Sequence, residues 1–93
     1  MSDTCFQKLK PLEWSASKAS LIELLYALHQ MKCINGGNIT MAEIIKNAEL
    51  IFGIDLDNHK KILHEIKNRK ILRAKFLHHL KENIEKHFED YDF

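Results

Sequence analysis

Apolar residues recur at steps of three and four positions in four successive segments of the chain, and this periodicity is the strongest constraint on its fold. A first helix over about 17–31 is predicted to bury Leu21, Leu24, Leu25, Leu28 and Met31. A second helix, beginning at Thr40, is predicted to bury Met41, Ile44, Ile45, Ala48, Ile51 and Phe52. A third over about 58–70 is predicted to bury Ile62, Leu63 and Ile66. A fourth over about 73–88 is predicted to bury Phe76, Leu77, Leu80, Ile84 and Phe88. The fold class is therefore all-α, a four-helix domain, with at most a short strand bridge near Ile39.

Short polar side chains mark where the first two helices begin. Ser15 and Ser17 are both suitable N-caps of the first helix, because a serine oxygen can accept a free N–H of the first turn. Residues 35–38, Asn-Gly-Gly-Asn, form a strong turn signal after this helix. Thr40 then precedes Glu43 by three residues, which is the spacing of a capping box. The second helix is expected to begin there.

The signals are weaker toward the C-terminal half. Gly53 is suited to end the second helix, and Asp55 or Asp57 is predicted to cap the third. A break near Ile71 separates the third and fourth helices in this interpretation. Neither Gly nor Pro marks that break, so the two helices could also be continuous or bent.

The 93 residues are enough for one domain with one modest core. We predict a polar lead-in over 1–13, a single helical domain over 14–88 and an acidic tail over 89–93. No apolar stretch approaches the roughly 18 residues of a membrane span, and no export signal is recognisable, so a soluble cytoplasmic protein is expected. In that compartment Cys5 and Cys33 are expected to be free thiols.

Charge is distributed unevenly along the chain. Residues 1–57 have five Lys and seven acidic residues, a net of −2, and residues 82–93 have one Lys and five acidic residues, a net of −4. Between them, residues 58–81 have eight basic residues and one acidic residue, a net of +7. The total of +1 therefore conceals a basic block, which is the main functional signal in the sequence.

Part of the basic block lies on one side of the predicted third helix. At 100° per residue, the polar residues of this segment fall opposite its apolar stripe. Lysines there suit phosphates, and an asparagine can form a paired hydrogen bond with adenine. The predicted DNA-binding residues are Lys60, Lys61, His64, Lys67, Asn68, Arg69, Lys70 and Arg73. The alternative is a solvated helix face with cations near its C-terminal end.

The second and third helices and their short connection have the layout of a helix-turn-helix-like pair. Aligning Gly53 with the turn glycine of that motif places apolar residues at most of the expected positions. Two positions depart from it, because Glu49 stands where a small residue is usual and His59 where an apolar one is usual. A purely structural helical hairpin remains the alternative.

No constellation typical of catalysis or metal binding is present. The sequence has no phosphate loop and no nucleophile elbow, and His29 and Cys33 lack a second pair that would complete a zinc site. We therefore predict no enzyme activity, no metal and no cofactor. Trp14, Tyr26 and Tyr91 lie outside the basic block, so packing is a better interpretation of them than base stacking.

Two strings resemble the C-terminal part of the RteC family. The first is Leu21-x-Glu23-Leu24-x-Tyr26-Ala27-Leu28-His29 followed by Asn35-x-Gly37. The second is Ile66-x-Asn68-Arg69-Lys70-x-x-Arg73-x-x-Phe76-Leu77-x-x-Leu80-Lys81. That family comprises transcription regulators of conjugative elements of Bacteroides-type bacteria. The resemblance implies a DNA-binding helix-turn-helix or winged-helix region, although no hairpin that could form a wing follows Lys70.

These observations predict a DNA-binding transcription regulator of a mobile conjugative element. Its partner would be double-stranded DNA, bound by one copy or by a homodimer, with no membrane involved. The main alternative is a helical protein–protein interaction module that uses the basic face of the third helix. Charge reversal at Lys61 and Lys67 discriminates between them, because it should abolish DNA binding and leave an apolar protein interface intact.

Overall fold

The computed structural model describes residues 9–90. Its four α-helices are α1 (Lys18–Gln30), α2 (Met41–Phe52), α3 (His59–Lys67) and α4 (Lys75–Asp90), with one turn of 3-10 helix at Asn35–Gly37. The predicted all-α class and its four helices are confirmed. Residues 9–90 contain no strand, and the short bridge considered near Ile39 is not formed. Parts of the predicted lead-in and tail, with Cys5 and Tyr91, lie outside the described residues.

Helix α1 is the centre of the packing. It contacts each of α2, α3 and α4, whereas those three helices contact one another only slightly. The buried hydrophobic core is small and comes from α1, α2 and the connection after α2: Leu21, Ile22, Leu25, Ile44, Ile45, Ala48 and Leu56. Ile62 and Leu63 of α3 pack against this core at its edge. The domain is therefore held by helices that dock onto α1 rather than by a symmetric bundle.

Some predicted core positions are not buried. Met31 is 76 % exposed because α1 ends at Gln30, and Ile51 is 54 % exposed near the end of α2. Leu80 and Ile84 are 42 % and 52 % exposed, because the distal part of α4 extends beyond the core. The prediction that these residues are buried is wrong. Helical spacing identified the apolar stripes, but within residues 9–90 these positions remain open to solvent.

Trp14 contacts both the last residue of α2 and the first turn of α4. Its ring makes edge-on contacts with Phe52 at 5.5 Å and with Phe76 at 5.9 Å between ring centroids. The indole Nε1 donates a hydrogen bond to the Ser17 carbonyl at 2.8 Å. An aromatic side chain with its N–H satisfied in this way is a packing residue, as the sequence indicated.

Most predicted caps are confirmed. Ser17 caps α1, with its Oγ accepting from the Ser20 N–H. Gly53 ends α2 in the left-handed conformation at φ 57°. The prediction that an aspartate caps α3 is wrong, because Asn58 occupies the N-cap and makes no side-chain capping bond. The Asp55 Oδ1 accepts instead from the Asp57 N–H at 2.9 Å, within the connection itself.

Helices α3 and α4 are separate, and the break is wider than predicted. Helix α3 ends at Lys67, about three residues earlier than expected, and α4 begins at Lys75, about two residues later. Leu72, between them, has a positive φ of 50°. The helix-turn-helix pairing predicted for α2 and α3 is not confirmed, since both helices pack mainly on α1.

The capping box at the start of α2 has both of its reciprocal bonds. The Glu43 N–H donates to the Thr40 Oγ1 at 3.1 Å, and the Thr40 N–H donates to the Glu43 Oε1 at 3.0 Å. Hydrogen bonds from the Thr40 backbone and side chain hold the pKa of Glu43 below its ordinary value. The stability that this carboxylate contributes is therefore present above its unfolded-state pKa, and it is lost as the pH falls through the folded-state pKa.

We expect Thr40→Ala to lower the free energy of unfolding by about 1 kcal/mol, because it removes one half of the box. The measurement is urea unfolding monitored by circular dichroism. Thr40→Ser, which keeps the hydroxyl, is the matched control and should unfold close to the wild-type midpoint. Equal losses in the two variants would show that the threonine methyl, and not the capping bond, is what stabilises α2.

Candidate nucleic-acid interface

The polar side of α3 is open to solvent. Lys60, Lys61, His64 and Lys67 are all exposed on this helix of nine residues. Such a helix is roughly 13 Å long, which is comparable with the width of the DNA major groove. The opposite side, with Ile62 and Leu63, packs against the core. The fold therefore presents the lysines outward as the periodicity predicted.

Further exposed basic residues follow the end of α3 along the chain. Asn68 is the C-cap residue, and its N–H donates to the His64 carbonyl. Lys70 and Arg73 follow in the segment that leads to α4, and both are exposed. The predicted residues thus form one run from the start of α3 to the start of α4. We call Lys60, Lys61, Lys67, Lys70 and Arg73 the basic face.

No carboxylate of residues 9–90 neutralises the basic face. The ion pairs within this range join Arg69 to Glu23 and His78 to Glu82, and neither includes a member of the face. Glu65, the one acidic residue of the 58–81 block, is exposed and forms no ion pair within residues 9–90. The charges of these five side chains are therefore available to an anionic partner.

Arg69 differs from the residues of the basic face because its side chain is ion-paired within the protein. Its Nη1 lies 3.1 Å from the Glu23 Oε1 and also donates to the Arg73 carbonyl at 2.8 Å. Its side chain is 30 % exposed, and that of Glu23 only 4 %. The Arg69 guanidinium is therefore already bonded within the protein, to the Glu23 carboxylate and to the Arg73 carbonyl.

The two predicted base-contacting residues are bonded to each other. The Asn68 Nδ2 lies 3.0 Å from the His64 Nε2, on the exposed side of the helix end. An amide NH₂ can only donate, so this bond requires the His64 tautomer whose Nε2 carries no proton. The bond uses one amide hydrogen and one ring nitrogen, and it leaves the Asn68 Oδ1 and the His64 Nδ1 open to solvent.

An apolar groove of about 500 Å³ borders the basic face between α1, α3 and α4. Its lining is mostly apolar and includes Tyr26, Leu63, Ile66 and Leu77. His64, Lys67 and Arg73 also line it, so the groove and the basic face share residues. If the chain is instead a protein-interaction module, this groove is the apolar surface that a partner would contact. Tyr26 is 43 % exposed in this groove.

The two departures from the helix-turn-helix pattern have a structural explanation. The Glu49 Oε2 accepts the Leu56 N–H at 2.7 Å, and the His59 Nδ1 lies 3.1 Å from the Leu56 carbonyl. Both polar side chains therefore satisfy the backbone at Leu56, whose own side chain is fully buried. They hold the connection between α2 and α3.

Glu49, Asp55 and Asp57 bring carboxylate oxygens within 4.8 Å of one another. Glu49 and Asp55 already accept backbone N–H groups of the connection, which accounts for their positions without a metal. In the described part of the chain, His29 and Cys33 do not belong to a group of three potential ligands. Cys33 is a free, exposed thiol.

Glu23 is the functional candidate that the sequence analysis missed. It lies in a segment of α1 with apolar residues on all sides, and such a helix is expected to be buried all round. A carboxylate in that setting requires partners, and this signal was present in the sequence. Its partners, Arg69 and Leu77, are 46 and 54 residues away. Local patterns cannot identify contacts at that separation.

Among the described residues, no helix has the length and apolar character needed to cross a membrane. The fold and the surface together define a class: a small all-α domain that presents an exposed, unneutralised basic helix face next to an apolar groove.

A family model described as RteC protein matches residues 2–92, nearly the whole chain. The chain belongs to the RteC family, as the two strings indicated. Searches with this chain found no matching curated protein and no matching solved structure.

The bond between Asn68 and His64 predicts one imidazole tautomer. Long-range ¹H–¹⁵N spectra at alkaline pH should show the proton of His64 on Nδ1, with Nε2 unprotonated. Asn68→Ala should return the ring to the Nε2–H form that predominates in free imidazole side chains. His79, an exposed histidine of α4, is the internal reference and should not change. An Nε2–H tautomer in the wild-type protein would contradict the bond.

Proposed function

We propose that this chain is a DNA-binding transcription regulator of a mobile conjugative element. Membership of the RteC family supports a regulator associated with such elements. The observation that carries the DNA-binding part is the basic face, because its five side chains are exposed and none is neutralised by a carboxylate of residues 9–90. A phosphate backbone is the polyanion that such a surface suits.

In this proposal α3 lies along the duplex with its polar side toward the DNA. The basic face neutralises phosphates, and Asn68 and His64 contact base edges. Arg69 is assigned no base contact, since its Nη1 is bonded to Glu23 and to the Arg73 carbonyl. The proposal includes no catalytic step, and the absence of enzyme activity remains a prediction.

Duplex affinity should fall steeply with salt. Each neutralised phosphate contributes about −0.9 to the slope of log K against log salt, so five contacts predict a slope of about −4.5. The reversal Lys61→Glu with Lys67→Glu should abolish binding at moderate salt, because both side chains lie on the basic face. The measurement is fluorescence anisotropy with labelled random duplexes at several salt concentrations.

The control for this experiment has the same change in net charge at a distance from the basic face. Lys18→Glu with Lys46→Glu alters exposed lysines of α1 and α2. This variant should keep most of the affinity and nearly all of the slope. Equal losses of duplex affinity in the two double variants would show that net charge, and not the basic face, determines binding. Absence of wild-type binding to any duplex at low salt would contradict the proposal and favour the protein-interaction module.

We further propose that two copies pair through the distal part of α4. Leu80 and Ile84 lie one turn apart on this helix and are about half exposed. The first half of α4 contains Lys75 and Lys81 without an acidic residue, and residues 82–90 contain four acidic residues and one lysine. Antiparallel pairing lays each basic half near the acidic half of the other copy. Small DNA-binding modules often act as such two-fold pairs.

Leu80→Asp with Ile84→Asp should leave a monomer at concentrations at which the wild-type protein is a dimer in sedimentation equilibrium. Leu50→Asp is the control, because Leu50 is 83 % exposed on α2 and outside the proposed interface. This variant should dimerise like the wild type. A wild-type protein that stays monomeric at submillimolar concentration would exclude the pairing and leave the DNA-binding proposal standing with one copy per site.

A further inference from the structure

Glu23 connects three parts of the structure through one buried carboxylate. Its Oε1 is paired with the Arg69 Nη1 at 3.1 Å, and its Oε2 accepts the Leu77 N–H at 2.8 Å. The same Arg69 nitrogen donates to the Arg73 carbonyl. The carboxylate of α1 therefore reaches both the segment after α3 and the first turn of α4.

At α4 this carboxylate replaces a missing cap. Leu77 is the third residue of α4, and its N–H is one of the donors that have no partner within a helix. Ala74, whose carbonyl accepts the His78 N–H, has no side-chain acceptor for it. Glu23 supplies that acceptor from another helix, and its negative charge lies at the end of α4 where the helix dipole favours it.

The break between α3 and α4 is not explained by its own sequence. Residues 68–74 contain neither Gly nor Pro, and Lys, Leu, Arg and Ala are good helix formers. Leu72 nevertheless has a φ of 50°, a region that disfavours residues with a side chain, and Ile71 is 87 % exposed. A conformation of this kind persists only where surrounding contacts enforce it. The two side-chain contacts of Glu23, with Arg69 and with the Leu77 N–H, lie on opposite sides of this break.

We propose that Glu23 is a positioning residue for the basic face. By fixing Arg69, the Arg73 carbonyl and the start of α4, it holds the segment after α3 folded back against α1. Lys70 and Arg73 then continue the surface formed by Lys60, Lys61 and Lys67. Without this carboxylate the segment is free to extend α3 toward α4, and Lys70 and Arg73 leave that surface. The inference rests on the proposed function for its consequence in DNA binding, and on geometry alone for the position of α4.

The test is a distance measurement in the full chain. Spin labels at Ala42→Cys in α2 and Glu85→Cys in α4 are introduced with Cys5→Ser and Cys33→Ser, and the protein is diluted with unlabelled chain so that only distances within one molecule are measured. Glu23→Gln keeps the side-chain volume but removes the charge, and Glu23→Ala removes both. Both should broaden the distance distribution and speed hydrogen exchange at the Leu77 amide, with helical circular dichroism retained or increased.

Two further variants make the test specific. Glu49→Gln alters another carboxylate that accepts a backbone N–H across a connection, and it should change neither the distance nor the exchange at Leu77. Leu72→Gly added to Glu23→Gln should narrow the distribution again, because glycine tolerates a positive φ without strain. The Gln variant keeps the test decisive if the Ala variant does not fold.

The DNA measurement adds a second readout. If Lys70 and Arg73 leave the surface, the salt slope of Glu23→Gln should be smaller than that of the wild type by about 2, which corresponds to two lost phosphate contacts. Unchanged distances in folded Glu23 variants would overturn the inference whatever the DNA result. Altered distances, together with a wild-type protein that binds no duplex, would uphold the positioning role and overturn only the proposed function.

Discussion

The packing of three helices onto α1 is the constraint on which the rest of the structure depends. Leu21, Ile22 and Leu25 of this helix are buried, and so is the carboxylate of Glu23 among them. Apolar contact holds α2 and α3 in place, whereas an ion pair and a capping bond help to hold α4. Helix α1 thus uses two kinds of interaction. The polar one connects Glu23 through Arg69 to the backbone of Arg73, a residue of the basic face.

The small core explains why so much of the surface is available for binding. A chain of this size buries only about 60 to 65 % of its unfolded surface. Seven hydrophobic residues are buried among those described, and most of α3 and all of the distal part of α4 lie at the periphery. Charged side chains of α3 therefore face solvent on one side while Ile62 and Leu63 touch the core on the other. The arrangement suits recognition at a surface rather than enclosure of a ligand.

Local signals in the sequence were sufficient for much of the fold. The capping box of Thr40 and Glu43, the serine cap of α1 and the left-handed Gly53 depend on neighbours within four residues. Helical spacing also placed the lysines of α3 opposite Ile62 and Leu63. The residues of the basic face were thus predictable, as was their exposure. Their role in binding DNA remains a prediction.

The errors concern features that helical spacing does not specify. Met31 is exposed because α1 ends at Gln30, and Ile84 is exposed because the distal part of α4 extends beyond the core. The positive φ of Leu72 and the engagement of Arg69 both depend on Glu23, about fifty residues earlier. Composition could indicate that a carboxylate surrounded by apolar residues needs a partner, but it could not identify that partner.

The aromatic contacts at Trp14 have a practical consequence. This is the single tryptophan of the chain, and its ring touches Phe52 at the end of α2 and Phe76 at the start of α4. Undocking of either helix changes the surroundings of the same indole. Its fluorescence is therefore an intrinsic optical probe of two separate docking events, and it requires no added label.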